Sequence, residues 1–288
     1  MCKTLRLNFP QWQGGESGNI SRLVPELAPQ QAIQGYAAGA RLLAFLSPKH
    51  QGAERDVPVS LDWHTPTEHG IFAYQANKRQ LQAALEMIKA EQPERIVTLG
   101  GDCAVSIAPF AYLADKYRDD TAVIWLDAHP DLGLPGDNYT GFHAMALAQL
   151  AGVGDEEITA MLPEHKVKTE NALIVGLRDF GEPAEQRRQA WGIETVSCRQ
   201  ANRGSDEVLA WLRQRGKSKV LIHLDLDVLD PAELKTAVGT DPHGMSIDAV
   251  IRTVADIGKH ADIVGFTVAE PMPREVIKLQ TLLQGLPL

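Results

Sequence analysis

Ala122-Val123-Ile124-Trp125-Leu126-Asp127-Ala128-His129-Pro130-Asp131 joins an apolar run to three metal-competent side chains at alternate positions. An extended backbone has a side-chain period of 2, so Asp127, His129 and Asp131 share one side of the exit. An Asp-His-Asp set facing one way at the end of a buried strand suits a divalent cation of intermediate hardness, such as Mn or Zn. A polar strand exit with capping Asp residues is the structural alternative. The triplet alone leaves both readings open.

His223-Leu224-Asp225-Leu226-Asp227-Val228-Leu229-Asp230-Pro231 repeats the arrangement. Leu221, Ile222, Leu224, Leu226, Val228 and Leu229 mark a strand deep in an apolar layer. Asp225 and Asp227 again share a face, with His223 on the same side. Burying an unpaired carboxylate costs roughly several kcal/mol, so buried charges are paired or coordinate a metal. No Lys or Arg lies near either one in sequence. Together the two stretches carry more negative charge than one divalent ion needs. A two-metal site with bridging carboxylates is the economical solution.

The rest of the chain sets the context. It has 288 residues, 44% hydrophobic and 23% charged, which is ordinary globular composition. A net charge of −9 argues against non-specific nucleic-acid binding. Cys2, Cys103 and Cys198 are sparse and unpaired in pattern, as expected in a reducing compartment. No apolar run reaches the ~18 residues of a membrane span. The N-terminal stretch lacks a secretory apolar run, so a cytoplasmic location is expected.

Strand-like patterns near 3–8, 57–61, 95–100, 121–127, 171–176, 193–196, 218–225 and 263–269 alternate with helical ones. The helical patterns lie near 30–47, 71–90, 104–118, 143–151, 183–191, 204–216, 246–258 and 274–284. Ser246 is a plausible helix start and Gly216 a plausible stop. Continuous apolar strands are the kind covered on both faces of a parallel sheet. The expectation is a single α/β domain over 1–288: a three-layer α/β/α sandwich with a mainly parallel, about eight-stranded sheet. A TIM barrel competes, but the short, irregular first hundred residues favour an open sheet. In open sheets the site lies at the carboxyl ends of the strands. Four strands end there on polar residues: Gly100-Gly101-Asp102-Cys103, Asp127 to Asp131, Asp225 to Asp230, and Glu270. The glycine pair has no following Lys-Ser/Thr, so a phosphate cradle is a weak reading. A tight turn presenting Asp102 and Cys103 is the better one. Cys103 reads either as a small buried hydrophobe or as a thiolate ligand.

These blocks resemble the signature blocks of the arginase, or ureohydrolase, family in order and spacing over roughly 95–271. The resemblance implies an arginase-like fold and two Mn(2+) ions bridged by hydroxide. One ion would take Cys103, Asp127, Asp131 and Asp225; the other would take Asp127, His129, Asp225 and Asp227. Glu270 would hold the substrate guanidinium, Asp131 would orient the nucleophile, and His143 would shuttle protons. The substrate would be a small guanidino or amidino compound, such as arginine or hydroxyarginine. Agmatine- and formiminoglutamate-type substrates are the alternatives, and a homo-oligomer is common in the family.

The chain departs from the family pattern in three places. Cys103 stands where a His is usual, which favours Zn at that position. An arginase-like hydrolase that cleaves hydroxyarginine in cycloserine biosynthesis shares this change, and His223 before the aspartates and Val175-Gly176-Leu177-Arg178-Asp179 look similar to it too. Gly133 stands in place of an Asn, in a loop one residue short before His143. Gly181 stands in place of an Asp that reads the substrate amino group, with Glu182 beside it as a substitute. Arg178 is a candidate clamp for a second substrate carboxylate. Two other classes remain: a one-zinc hydrolase such as a deacetylase, and a regulatory relative without tight metal. His143 reads equally well as a helix-capping residue, and Glu270 as an ion-pair partner of Arg274.

Overall fold

Apolar strands hidden on both faces need a cover of helices above and below, and the chain builds this cover. The computed structural model describes residues 3–288; Cys2 and the start of the N-terminal stretch lie outside them. The strands are β1 (Thr4–Phe9), β2 (Ala53–Asp56), β3 (Arg95–Gly100), β4 (Thr121–Leu126), β5 (Ala172–Val175), β6 (Glu194–Val196), β7 (Lys219–Asp225) and β8 (Asp262–Ala269). They form one sheet in the order β2-β1-β3-β8-β7-β4-β5-β6, with every neighbouring pair parallel. Alternate residues feed two separate apolar layers. Val123, Trp125 and Leu221 pack into one with Phe110. Ile124, Leu126, Ile222 and Leu224 pack into the other with Phe266. No helix among the described residues is long and apolar enough to cross a membrane.

Several expected boundaries move for identifiable reasons. The strand expected at 57–61 is instead β2, residues Ala53–Asp56. Pro58 removes a ladder donor from the expected segment, while three of the four β2 residues are exposed and carry no apolar signature. The helix expected over 30–47 is two helices, Pro29–Ile33 and Gly35–Leu46. The one expected at 71–90 runs Tyr74–Glu91, because residue Ala73 has a left-handed backbone. Cys198–Arg203 is a further, unexpected helix, and the one expected at 204–216 is Asp206–Arg215. Gly216 closes the latter with φ of 62°. Only Ala146–Leu150 is α-helical in the 143–151 stretch, after a tight turn at Phe142–Met145. The helix Ile247–His260 starts as expected, with the Ser246 side chain accepting from the Ala249 N–H.

The four central strands β3, β8, β7 and β4 are adjacent, so their carboxyl ends meet on one rim. The turn after β3 is tied to both neighbours: Gly101 N donates to Phe9 O, and Glu270 N donates to Gly101 O at 2.6 Å. A Cβ on Gly101 would stand 1.7 Å from the carbonyl oxygen of Gln11. Backbone cannot swing aside as a side chain can, so Gly101→Ala is expected to destabilise by about 2–3 kcal/mol. Gly18→Ala meets nothing within 4 Å and lies in a helix, so it is expected to be neutral or stabilising by up to about 1 kcal/mol. Urea unfolding of the metal-free variants measures both, and equal midpoints would contradict the packing account.

Candidate metal centre and active-site cavity

The exits of β4 and β7 are bent around each other by their own carboxylates. Asp127 N donates to Val175 O, and His129 N donates back to Asp127 Oδ1 at 2.6 Å. Asp227 Oδ1 accepts from Ala128 N at 3.1 Å, and Asp225 Oδ1 from Asp227 N at 2.7 Å. Trp125 Nε1 donates to Asp127 Oδ2 at 2.8 Å. Possible ligand atoms converge in four groups among the described residues, two of which share Asp127. Cys103, Asp127, His223 and Asp225 form one, and Asp127, His129 and Asp227 the other. Within each group the ligand atoms lie within 4.8 Å of one another. Asp127 belongs to both, with Oδ2 on the first side and Oδ1 on the second. Cys103 Sγ is 2.9 Å from Asp225 Oδ2, and His129 Nδ1 is 2.9 Å from Asp227 Oδ2.

The electrostatics test whether cations fit here. Burial and the charge of Asp227 push Asp127 up to about 7. Burial and neighbouring carboxylates push Asp131 and Asp225 well above the usual range. Burial, then Asp225, does the same to the Cys103 thiol. Asp227 goes the other way: burial opposes its charge, but the His129 imidazolium beside it wins. Protons and one imidazolium thus stand where divalent cations would otherwise neutralise the cluster. Two buried polar atoms, Asp131 Oδ2 and His223 Nε2, have no hydrogen-bond partner. A donor set of sulfur, imidazole and carboxylates with orphaned atoms among them fits the binding of divalent metal.

The centre forms the floor of a cavity of about 550 Å³. Cys103, Asp131, Asp225, Asp227 and Glu270 line its base. Glu270 sits just past β8 with a positive φ of 63°. His143 Nδ1 is 3.0 Å from Glu270 Oε1, and its Nε2 is 2.7 Å from the Tyr139 hydroxyl. Burial disfavours an imidazolium, but Tyr139 and Glu270 outweigh it and raise the His143 pKa well above the usual value. His129 Nε2 lies 3.3 Å from Asp179 Oδ2, a carboxylate placed to fix its tautomer and orientation.

Of the sequence-derived site residues, Cys103, His129, Asp131, His143, Asp225, Asp227 and Glu270 line one cavity, while Asp127 is fully buried and not part of its lining. Asp131 faces it from a strained backbone, φ 48°, but stands outside both donor groups. Asp102 does not face it; its carboxylate holds Gln11 Nε2, Gly14 N and Ala104 N. Arg178 is no carboxylate clamp, because its guanidinium donates to the backbone carbonyls of Asp227, Leu229 and Asp241. Glu182 accepts from Gln186 one turn on in its helix instead of standing in for the missing Asp at Gly181. Arg274 pairs with Glu26 and not with Glu270. The His143 side chain serves the cavity and not a helix end. Tyr36, Tyr139, Asp179 and Asp241 also line the cavity. Asp179 lay inside a block already singled out. Tyr36 lay in the helical pattern at 30–47 and Tyr139 in the loop before His143, neither marked there as a site residue, and Asp241 lay in a stretch with no motif.

Comparison with known proteins places this geometry. The family profile described as the arginase family matches residues 27–284. The arginase of Entamoeba histolytica is 26% identical over 186 residues, 62% of this chain and 62% of that protein. The arginase of Staphylococcus aureus is 32% identical over 143 residues, 48% of this chain and 47% of that protein. The chain thus aligns with about half to two-thirds of the length of these curated relatives. Among solved structures, Entamoeba histolytica arginase in complex with L-ornithine superposes with a TM-score of 0.79 at 19% identity, covering 98% of this chain and 95% of that one. Proclavaminate amidino hydrolase from Streptomyces clavuligerus superposes at 0.69 and 18% identity, covering 99% and 90%. Formimidoylglutamase from Bacillus subtilis gives 0.63 and 15%, covering 99% and 88%. At such identities these superpositions establish the shared fold.

Metal loading should displace protons. Asp127 lies near 7 and Asp225 and Asp131 are raised in the metal-free protein, whereas a ligand carboxylate must be ionised. Affinity for Mn(II) is therefore expected to climb with pH through about 7, by up to roughly tenfold per pH unit for each proton displaced. Calorimetric titration near pH 6 in buffers of different ionisation enthalpy reads the released protons; identical heats in all buffers would contradict the proton-filled cluster.

Proposed function

The chain belongs to the arginase family, and from that premise we propose that it hydrolyses a C–N bond of a small cationic guanidino compound at two divalent cations. The observation that carries this reading is the pair of donor groups that share the buried Asp127 and whose Cys103, His129, Asp225 and Asp227 line the cavity. Cys103, Asp127 and Asp225, with Asp131, would hold one cation; Asp127, His129, Asp225 and Asp227 would hold the other. Mn(II) suits the carboxylate-rich side, and the Cys103 thiolate favours Zn(II) on its own side. When bound, two such ions lower the pKa of water from about 15.7 towards 7 and offset charge that develops on addition.

The side chains supply the rest. The guanidinium carbon is a poor electrophile, so its approach to the attacking water must be fixed. Glu270 offers a carboxylate for a charge-assisted pair with two guanidinium N–H groups. Asp131 Oδ2 has no partner within the protein and can accept a hydrogen bond from the attacking water. His143 holds a proton at neutral pH, since its pKa is raised, and can pass it to the leaving nitrogen. Tyr139 and Glu270 grip the two ring nitrogens of His143 and fix its direction.

One feature ranks the substrates. No Lys or Arg lines the cavity among the described residues. A second carboxylate, as in formiminoglutamate, would meet no cation there, and Arg178 is already committed to backbone carbonyls. Cationic guanidines such as arginine, hydroxyarginine, agmatine or guanidinobutyrate are therefore favoured.

Metal analysis should find two ions per chain; a ratio near one would favour a single-zinc hydrolase. Asp127→Ala is expected to empty both positions. A screen of the metal-loaded protein for urea, hydroxyurea or formamide release should find turnover on a guanidino compound and none on formiminoglutamate. Glu270→Gln should then lower kcat/KM by on the order of 100-fold while both metals stay bound. Turnover of formiminoglutamate alone would overturn the ranking.

A further inference from the structure

His223 is fully buried, and the reading above gives it no role. In β7 it lies opposite Trp125 of β4, and the two rings stack at 3.7 Å with planes 12° apart. Its Nδ1 is 2.8 Å from the Ser106 hydroxyl. Those two contacts fix the ring and leave Nε2 aimed at Asp127 Oδ2, 3.9 Å away. Nε2 has no hydrogen-bond partner. A satisfied core histidine would use both nitrogens, because an unpaired buried polar atom costs about 1–3 kcal/mol.

We infer that His223 Nε2 is a ligand of the cation on the Cys103 side. That ion would then be held by one thiolate, one imidazole and the carboxylates of Asp127 and Asp225, with His223 in the place given to Asp131 above, and Zn(II) is preferred there over Mn(II). The inference rests on the metal-centre reading of the preceding subsection. The four ligand atoms already lie within 4.8 Å of one another. Tetrahedral zinc with bonds of about 2.0–2.3 Å separates its ligands by roughly 3.3–3.8 Å, close to the His223–Asp127 spacing. The 2.9 Å contact of Cys103 Sγ with Asp225 Oδ2 is a thiol donating to a carboxylate, and it opens when the thiol is ionised. In the tautomer where Ser106 accepts from Nδ1–H, the neutral ring's lone pair is on Nε2. Trp125 positions two donors at once, stacking on His223 and donating to Asp127 Oδ2. Sulfur and imidazole together select zinc where carboxylates alone would favour manganese.

The test is made on the metal-free full chain. Zn(II) and Mn(II) are titrated in competition with a chromophoric chelator, using wild type and His223→Phe, which keeps an aromatic ring on Trp125 but no donor. Wild type should bind one Zn(II) much more tightly than the second. His223→Phe should weaken that one by at least about 100-fold, more than the loss of an outer-shell partner costs, and leave Mn(II) at the His129 side unchanged. Cobalt(II) substitution gives a second readout. The sulfur-to-cobalt charge-transfer band should persist in the variant while the ligand-field bands shift. Unchanged Zn(II) affinity and an unchanged cobalt spectrum would overturn the inference but leave the two-metal reading standing. Wild-type protein that binds no metal overturns both. If His223→Phe does not fold, X-ray absorption of wild type with one equivalent of Zn(II) decides: sulfur and imidazole in the same shell support the assignment, and either one missing refutes it.

Discussion

Like charges crowded where water cannot screen them are the constraint on which this structure depends. Two unit charges 4 Å apart interact with about 4 kcal/mol at an effective dielectric of 20, and Asp127, Asp131, Asp225 and Asp227 are all buried. A protein can relieve such repulsion with arginine. This chain keeps its nearby arginines elsewhere: Arg178 on backbone carbonyls and Arg187 on Asp137. The metal-free protein must then use protons and His129, which is why its carboxylates move in opposite directions. Such an arrangement is costly without a cation and favourable with one.

Convergence of this kind needs a stiff frame, and the parallel sheet provides it. Cys103, Glu270, Asp225 and Asp127 follow four strands that are neighbours, β3, β8, β7 and β4. The backbone bonds Phe9 O to Gly101 N and Gly101 O to Glu270 N lock the first two exits together. Asp102, turned away from the cavity, ties the same turn to the loop at Gln11 and Gly14. Arg178 does the corresponding task on the other side, gathering the carbonyls that follow Asp227. Charged residues beside the site thus hold backbone so that others can face the cavity.

This division of labour explains what was legible in the sequence. Strands β4, β7 and β8 announce themselves through continuous apolar runs, and the carboxylates at their exits through a period of 2. The edge strand β2 does not, since Ala53-Glu54-Arg55-Asp56 is largely exposed and pairs only through its backbone with β1. The adjacency of β3, β8, β7 and β4 is a long-range outcome that no local pattern encodes. The same holds for side-chain direction. Arg178, Glu182 and Asp102 each stand beside a site motif, yet hydrogen bonds to carbonyls, a helical neighbour and a remote loop take them out of it. Tyr139 enters the cavity from an irregular loop, and only the fold brings it to His143.

The cysteine then alters the balance of the whole cavity. Two divalent cations bring four positive charges, while an ionised Cys103 with Asp127, Asp131, Asp225 and Asp227 brings five negative ones. A histidine at position 103 would bring one fewer. Excess negative charge makes a bound water less acidic, so the cations alone activate it less. The same excess, with Glu270 at the rim of the cluster, strengthens the attraction for a positively charged head group. A cavity lined by no Lys or Arg among the described residues, in which Tyr139 and Glu270 raise the His143 pKa, supports the proposal of a cationic head group held there and a leaving nitrogen protonated beside it. Tighter holding of a cationic head group would raise kcat only so far as that contact fixes the geometry of attack or strengthens in the transition state, and otherwise would lower KM alone.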